Sequence, residues 1–595
     1  MVWQREDKLA YEKFLEKHRI VLVLFAFLFA ILSVRLFYLQ IVKGNSYKNI
    51  SEQQRMRNTH ERAPRGIIYS SSGEMLVGND FTYVALFYPF EQQKTPSDET
   101  IEELNKILGR DIKNTIDRSW RYGRVVKLAD NLTMEEMFKI QEKRLSLSGI
   151  AVVKEPKRIY FSAEATSHIT GYTGEVRTDE IEKLTDEGYK MGDYIGRGGI
   201  EQEYDKYLQG TDGGWQLEVN AKGYQTKAFR HIPTEIGASV HSTIDLKLQQ
   251  AAYDALKRSS TGKGAAVILD TRTGAVKALV SSPGFDTNKA GTKDFAKYLT
   301  DKKNLPLFNR ALQALYPPGS IFKIVTFAAA TELLDIDPKA TEYCTGSFEL
   351  GDRWYSCSLK TGHGSVNLIT AMAFSCNICF YQFGLQLGVR NIEKFAKEFY
   401  LGQKTGIDLP NEKRGFVPNP EWKKMKMKMS WLQGDTVILA IGQGALWVTP
   451  IQMADMVSAV ANKGTYYQPY IVEKIVSFKG EELYKHSLKT NDPIDLSEKS
   501  WKLLHKALLD TVEYGTGRRS KIEGIKIAGK TGTAQNPQGE DHAWFVSYAP
   551  ADNPEIAMAI IVENGGGGGL NAVPIGKKIY EAYFNIIPEE EEVKK

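Results

Sequence analysis

The sequence predicts an α/β multidomain protein in three parts. These are a single transmembrane helix, an elongated mixed α+β pedestal, and a C-terminal module with one mostly antiparallel sheet flanked by helices. Three observations carry this. An apolar run spans 20–42. Residues 43–238 mix polar, charged and glycine-bearing segments without one dominant period. From 239 to 586, strand-like segments stand at both ends with helical segments between them.

The apolar run is uncharged from Ile20 to Val34, is interrupted by Arg35, and resumes at Leu36–Leu39 and Ile41–Val42. That length crosses a bilayer as one helix. Arg35 lies near the far end, where its guanidinium can reach the interface. Arg5, Lys8, Lys13, Lys17 and Arg19 precede the run, which predicts a cytoplasmic tail at 1–19 and the remainder outside. No small-x-small cleavage site follows, so an uncleaved anchor is favoured over a signal peptide.

In the pedestal, Ser97–Leu108 and Thr133–Arg144 carry acidic residues early and basic residues late, as helices do. The chain turns at Gly210–Gly214, and Trp215–Asn220 alternates as a strand. Glu201, Tyr204, Arg62 and Arg65 read as structural hydrogen-bonding and ion-pair residues. The C-terminal module opens near Ser239, with a helix beginning in Thr243–Gln249. A buried strand at Gly264–Leu269, a hairpin turn at Thr271–Gly274 and a strand at Ala275–Ser281 follow. The last strand is expected at Glu555–Glu563, followed by a flexible loop at Gly565–Gly569, a helix at Ile575–Phe584 and an acidic tail at 587–595.

The composition is that of an ordinary globular protein, with 42% apolar and 25% charged residues. A net charge of +5 and the lack of a basic stripe argue against nucleic acid as a partner.

Chemistry is concentrated in three ordered motifs: Ser320-Ile-Phe-Lys323, Ser375-Cys-Asn377 and Lys530-Thr-Gly532. Together they read as the site of a serine enzyme acting on amides and β-lactams. Prolines 317 and 318 precede Ser320, and the apolar run Ile321–Leu334 follows, which marks a helix start. Ser320 and Lys323 then share a helix face. A serine hydroxyl needs a base, and Lys323 serves only when neutral; burial and a second cation, Lys530, would lower its pKa. Ser375 and Asn377, at alternate positions, would face Lys323 while Cys376 points away. Lys530–Thr533 lies on a strand, where Gly532 leaves room for substrate backbone and Thr531 and Thr533 offer hydroxyls to a carboxylate. The oxyanion hole is expected from the N–H groups of Ser320 and Thr533.

With these motifs in place, the chain resembles the class B penicillin-binding proteins, most closely the penicillin-binding protein 2 subgroup of cell elongation. Tyr316-Pro-Pro-Gly-Ser320, Ile441-Gly-Gln-Gly444, Asp541-His-Ala-Trp-Phe545, Gly264–Val267 with Thr273-Gly274, and Gly406-Ile-Asp-Leu-Pro410 resemble its catalytic segments. Arg62-Ala-Pro-Arg-Gly66 and Gly196–Glu201 resemble its pedestal. The resemblance implies a penicillin-binding/serine β-lactamase-like fold and a D,D-transpeptidase that cross-links peptidoglycan stem peptides through acyl-Ser320. It also implies trapping by β-lactams, location in the cell inner membrane with the catalytic domain periplasmic, and elongation-complex partners including a RodA-type glycosyltransferase.

All four cysteines lie between 344 and 379, with His363 among them. Cys344, Cys357, His363 and Cys376 make a donor set suited to structural zinc, and Cys379 could replace Cys376 if that stretch is helical. Catalysis itself requires no cofactor. The subgroup resemblance also favours a metal beside this motif, while a Cys344–Cys357 disulfide or free thiols stay open. Open too are a carboxypeptidase or β-lactamase using the same triad, a division-type transpeptidase, and a scaffold or penicillin sensor without essential catalysis.

Overall fold

The computed structural model describes residues 3–45, 47, 56–58, 61–89, 96–122, 125–143, 147, 149–190, 192–219, 225–537 and 539–586. The expected acidic tail at 587–595, and the expected element ends Arg144 and Asn220, lie outside these. The chain divides into two compact units, Met1–Ala63 with Phe81–Pro156 and Thr211–Glu235, and Pro64–Asp80 with Lys157–Gly210 and Ile236–Lys595.

In the first unit a helix runs over Trp3–Phe37 and continues through a wider turn at Tyr38–Val42. The stretch Lys17–Val42 contains an 18-residue window of mean hydropathy 2.8 and is long and apolar enough to cross a membrane. The helix Asp98–Leu108 is capped by Ser97, whose side chain accepts from the Thr100 N–H. Met134–Glu142 is capped by a reciprocal Thr133–Glu136 box. Both bury apolar residues, Ile101 and Leu104 on one and Met137 and Ile140 on the other. The predicted strand at 215–220 is Gly214–Val219, which pairs with Met56–Asn58 and Gln225–Ile232.

The second unit contains the catalytic module. The helices and strands that build its main sheet and flank it are, in chain order, α1 Leu246–Lys257, β1 Gly264–Asp270, β2 Val276–Ser282, α2 Lys323–Leu333, α3 Leu368–Ala373 and α4 Asn377–Glu398. They continue with α5 Gln433–Ala440, α6 Pro450–Ala461, α7 Glu498–Glu513, β3 Ala528–Ala534, β4 His542–Ala549, β5 Ile556–Val562 and α8 Val573–Tyr583. The sheet order is β2-β1-β5-β4-β3, antiparallel throughout. Strands β2 and β3, consecutive in sequence, thus form the two opposite edges of the sheet, while the other sequence neighbours pair directly.

Strand β1 is buried on both faces, which explains its continuous apolar run. Ala266 and Ile268 pack with Leu256 of α1 and Ile579 of α8. Ala265, Val267 and Leu269 share the other core with α6 and with Ile324, Val325 and Phe327 of α2. Helix α2 is buried on nearly all sides and so has no polar face, as expected of a helix at the centre of a domain.

The loop at Gly565–Gly569, predicted to be flexible, is open at Gly567 but tightly packed at Gly568. A Cβ on Gly568 would fall 2.3 Å from the Gly532 carbonyl oxygen and 2.4 Å from that of Trp544. Glycine serves close backbone approach to β3 and β4 there. The pedestal residues expected to be structural are so. Glu201 is fully buried and bonds Arg65 and Arg158, each at 2.7 Å. Tyr204 donates to Asp408 at 2.7 Å, and Arg62 pairs with Glu155 at 3.6 Å.

Candidate active site

The segment Tyr316–Gly319 is fastened before the nucleophile appears. Tyr316 exchanges backbone hydrogen bonds with Val448. The Trp544 indole donates to the Pro317 carbonyl at 3.1 Å, and the Gly319 N–H donates to the Gly442 carbonyl at 2.9 Å. Gly319 has φ +54°, and a Cβ there would lie 2.5 Å from the Thr533 carbonyl oxygen. Ser320 then sits in a 3-10 turn, Gly319–Phe322, and the α-helix begins only at Lys323. The predicted helix start is therefore tighter than an α-helix. In a 3-10 turn, residues three apart eclipse one another, so the turn aims Ser320 and the first residue of the α-helix, Lys323, to one side. Ser320 is half-buried and Lys323 fully buried.

Lys323 Nζ donates to the Ser375 carbonyl at 2.8 Å, the Ser375 hydroxyl at 3.1 Å and Asn377 Oδ1 at 2.7 Å. Ser375 has φ +57°, unusual for a non-glycine residue, and Asn377 opens α4. This turn brings two side chains and one carbonyl onto a single amine. It also sends Cys376 away, as predicted: Cys376 Sγ lies 3.9 Å from Cys357 Sγ.

Lys530 is also fully buried and donates to the Thr531 carbonyl at 3.1 Å. Burial pushes Lys323 down to about 8, partly opposed by the charges of Cys376, Cys357 and Cys379. Burial, and then the charge of Lys323, hold Lys530 well below the usual lysine range. Two amines in one dry pocket disfavour a second proton, which leaves a neutral amine available at ordinary pH.

Strand β3 carries the third motif at the sheet edge. A Cβ on Gly532 would meet Ile321 Cγ1 at 3.0 Å, Trp544 Cβ at 3.0 Å and the Pro318 oxygen at 3.1 Å. Gly532 thus also admits the nucleophile's own turn. Thr531 is buried and donates to the Thr516 hydroxyl at 2.7 Å, whereas Thr533 is exposed. Gln443, whose amide donates to the Thr533 carbonyl at 3.3 Å, joins the site from the Ile441–Gly444 segment, and Thr516 joins it from a segment to which the sequence assigned no catalytic role. Thr516 had only its Gly515–Gly517 setting as a signal.

Behind the second motif, the donor atoms of Cys344, Cys357, His363 and Cys376 all lie within 4.8 Å of one another. His363 Nδ1 is 3.6 Å from Cys344 Sγ and 3.4 Å from Cys357 Sγ. The edges of a zinc tetrahedron with three sulfurs and one nitrogen are about 3.5–3.8 Å, so the cluster fits that ion. All four thiols are free. Cys379, on the first turn of α4, is buried but outside the four-donor set. The cluster touches the catalytic motif directly, because the Asn377 N–H donates to Cys357 Sγ at 3.3 Å.

The family described as penicillin binding protein transpeptidase domain matches residues 264–581. That described as penicillin-binding protein dimerisation domain matches residues 60–242. The peptidoglycan D,D-transpeptidase MrdA of Haemophilus influenzae is 33% identical, over 93% of this chain and 89% of its own. A solved complex of penicillin-binding protein PBP2 and MreC from Helicobacter pylori superposes with TM-score 0.76 at 27% identity, covering 89% of this chain and 100% of that one. A structure describing coordination of polymerization and crosslinking by a peptidoglycan synthase complex gives TM-score 0.71 at 27% identity, covering 97% and 99%.

Proposed function

Because the chain belongs to the penicillin-binding protein transpeptidases, we propose that Ser320 is its nucleophile, Lys323 its general base, and Ser375, Asn377 and Lys530 their partners in proton transfer and charge control. The enzyme is a serine-type peptidoglycan D,D-transpeptidase of cell elongation. One observation carries the assignment: the buried Lys323 amine, three residues after Ser320, is held by the side chains of Ser375 and Asn377.

Ser320 Oγ attacks the carbonyl of the penultimate D-Ala, and its proton passes to neutral Lys323. The oxyanion is held by the N–H groups of Ser320 and Thr533; loss of one such donor costs about 3–4 kcal/mol of barrier. As the tetrahedral species collapses, the C–N bond breaks and Lys323 returns its proton through Ser375 to the departing D-Ala amine. A neighbouring stem-peptide amine then attacks the ester carbonyl. It loses a proton to Lys323, and Ser320 leaves and is reprotonated. Thr533, exposed on β3, receives the donor's carboxylate, and Thr531 with Thr516 supports that edge. Mass spectrometry after penicillin treatment tests the assignment: one adduct on Ser320 supports it, and an adduct elsewhere overturns it.

Cys344, Cys357, His363 and Cys376 would hold structural zinc, which braces the loop carrying Ser375 and Asn377 and supplies no step of the reaction. The basic residues before the apolar helix favour a cytoplasmic N-terminus with the catalytic module in the periplasm. Partners include stem peptides, β-lactams, a RodA-type glycosyltransferase and an MreC-like elongation protein. Similarity to a solved PBP2–MreC complex and to a peptidoglycan synthase complex that coordinates polymerization and crosslinking supports partners of these types.

A further inference from the structure

Residues 423–432 read Lys-Lys-Met-Lys-Met-Lys-Met-Ser-Trp-Leu, and nothing in the mechanism above uses them. The segment is pinned at its base. Lys423 is buried against Asp435. Asp435 also accepts from the Leu432 N–H at 2.7 Å, and the Trp431 indole donates to the Thr436 hydroxyl at 2.8 Å. Between these pins the chain projects outward. Met425, Met427, Met429 and Leu432 are 52–66% exposed. Lys424, Lys426 and Lys428 are exposed and make no ion pair among the described residues. A run of apolar side chains left in water and interleaved with unpaired cations marks an interaction surface. Methionine suits such a surface because it adapts to different contacts.

Its position says which interaction. A Cβ on Gly434, at the base of the projection, would lie 2.5 Å from the Tyr355 hydroxyl. Tyr355 belongs to the hairpin strand Arg353–Ser356, and the Ser356 carbonyl accepts from Asn377 Nδ2 at 3.1 Å. The projection is thus linked to the Asn377 wall of the cleft through one short strand. Trp354, 66% exposed, sits on that strand. The donor peptide takes the edge of β3. The groups that must deprotonate the incoming amine, Lys323 and Ser375, stand on the Asn377 side. The second peptide is therefore expected from that side, which the base of the projection adjoins through Tyr355 and Ser356.

We propose that the projection 424–432, with Trp354, is the acceptor subsite, where Lys424, Lys426 and Lys428 bind carboxylates of the stem peptide whose amine resolves the acyl-enzyme. The proposal rests on the assignment of Ser320 and Lys323 above. An exposed lysine cluster attracts a polyanionic strand at long range, and salt weakens that attraction.

The test uses the full-length protein in detergent, with all three lysines changed to glutamine (K424Q, K426Q and K428Q together). Acylation by penicillin involves no acceptor and serves as the reference. Transfer to a stem peptide with free carboxylates is compared with transfer to the same peptide amidated. The expected result is a loss of about tenfold for the carboxylate acceptor, little change for the amidated one, and recovery when the lysines are changed to arginine instead. Equal losses with both acceptors, or no loss with either, overturn the proposal. So does a variant that keeps its acceptor preference but no longer binds phosphatidylglycerol vesicles, because the surface would then serve lipid. Failure of wild-type Ser320 to acylate would instead refute the catalytic assignment, which keeps the two outcomes separate.

Discussion

The backbone N–H of Asn377 donates to Cys357 Sγ at 3.3 Å, while its side-chain oxygen accepts from Lys323 at 2.7 Å. One residue thus joins the cysteine–histidine cluster to the catalytic amine. If the cluster holds zinc as proposed, changing Cys357 to serine should lose the metal and loosen Asn377. The expected cost is about 10–100-fold in penicillin acylation, a range typical when the shell around a metal is disturbed. Metal content and acylation rate, measured on the same preparation, check this; full acylation in a zinc-free Cys357→Ser protein would refute the coupling.

The pH dependence follows from Lys323. Burial lowers its pKa from 10.5 to about 8, so the neutral base accumulates as pH rises through that value. Acylation of Ser320 should increase with pH and level off above about 8. The same shift links to stability. Between about 8 and 10.5 the unfolded chain binds the proton that the folded chain has lost, so stability rises with pH over that window by about 3 kcal/mol. Stopped-flow acylation and pH-dependent denaturation measure the two effects separately.

Gly319 has φ +54°, and a Cβ there would lie 2.5 Å from the Thr533 oxygen. Gly319→Ala should destabilise the module by about 1–3 kcal/mol and shift Ser320 relative to the oxyanion donors. A lower melting temperature with acylation reduced more than tenfold is expected. Gly480→Ala is the contrasting control, because φ is also positive there (+86°) but no atom lies within 4 Å of the added carbon.

Thr516→Val removes the hydroxyl that accepts from Thr531 at 2.7 Å. Leaving one buried hydroxyl without its partner costs about 1–3 kcal/mol. The expected result is weaker penicillin recognition, about tenfold in acylation efficiency, with the Ser320 adduct still forming. Thr516→Ser should restore most of the rate, which a purely steric role would not predict.

Local chemistry was legible in the sequence. The apolar run 20–42, the three motifs, the cysteine–histidine donor set and most element positions follow from side-chain type and spacing, because helix capping, strand alternation and ligand choice act over a few residues. The sequence did not disclose that Ser320 lies in a 3-10 turn, that Gly532 makes room for Ile321 and Pro318, or that Gly568 is packed against β3 and β4. Nor did it disclose the pairing of Thr516 with Thr531. Each of these depends on segments remote in sequence being pressed together, and only the packing of the β2-β1-β5-β4-β3 sheet against α2 decides which side chains meet and which charges lose water.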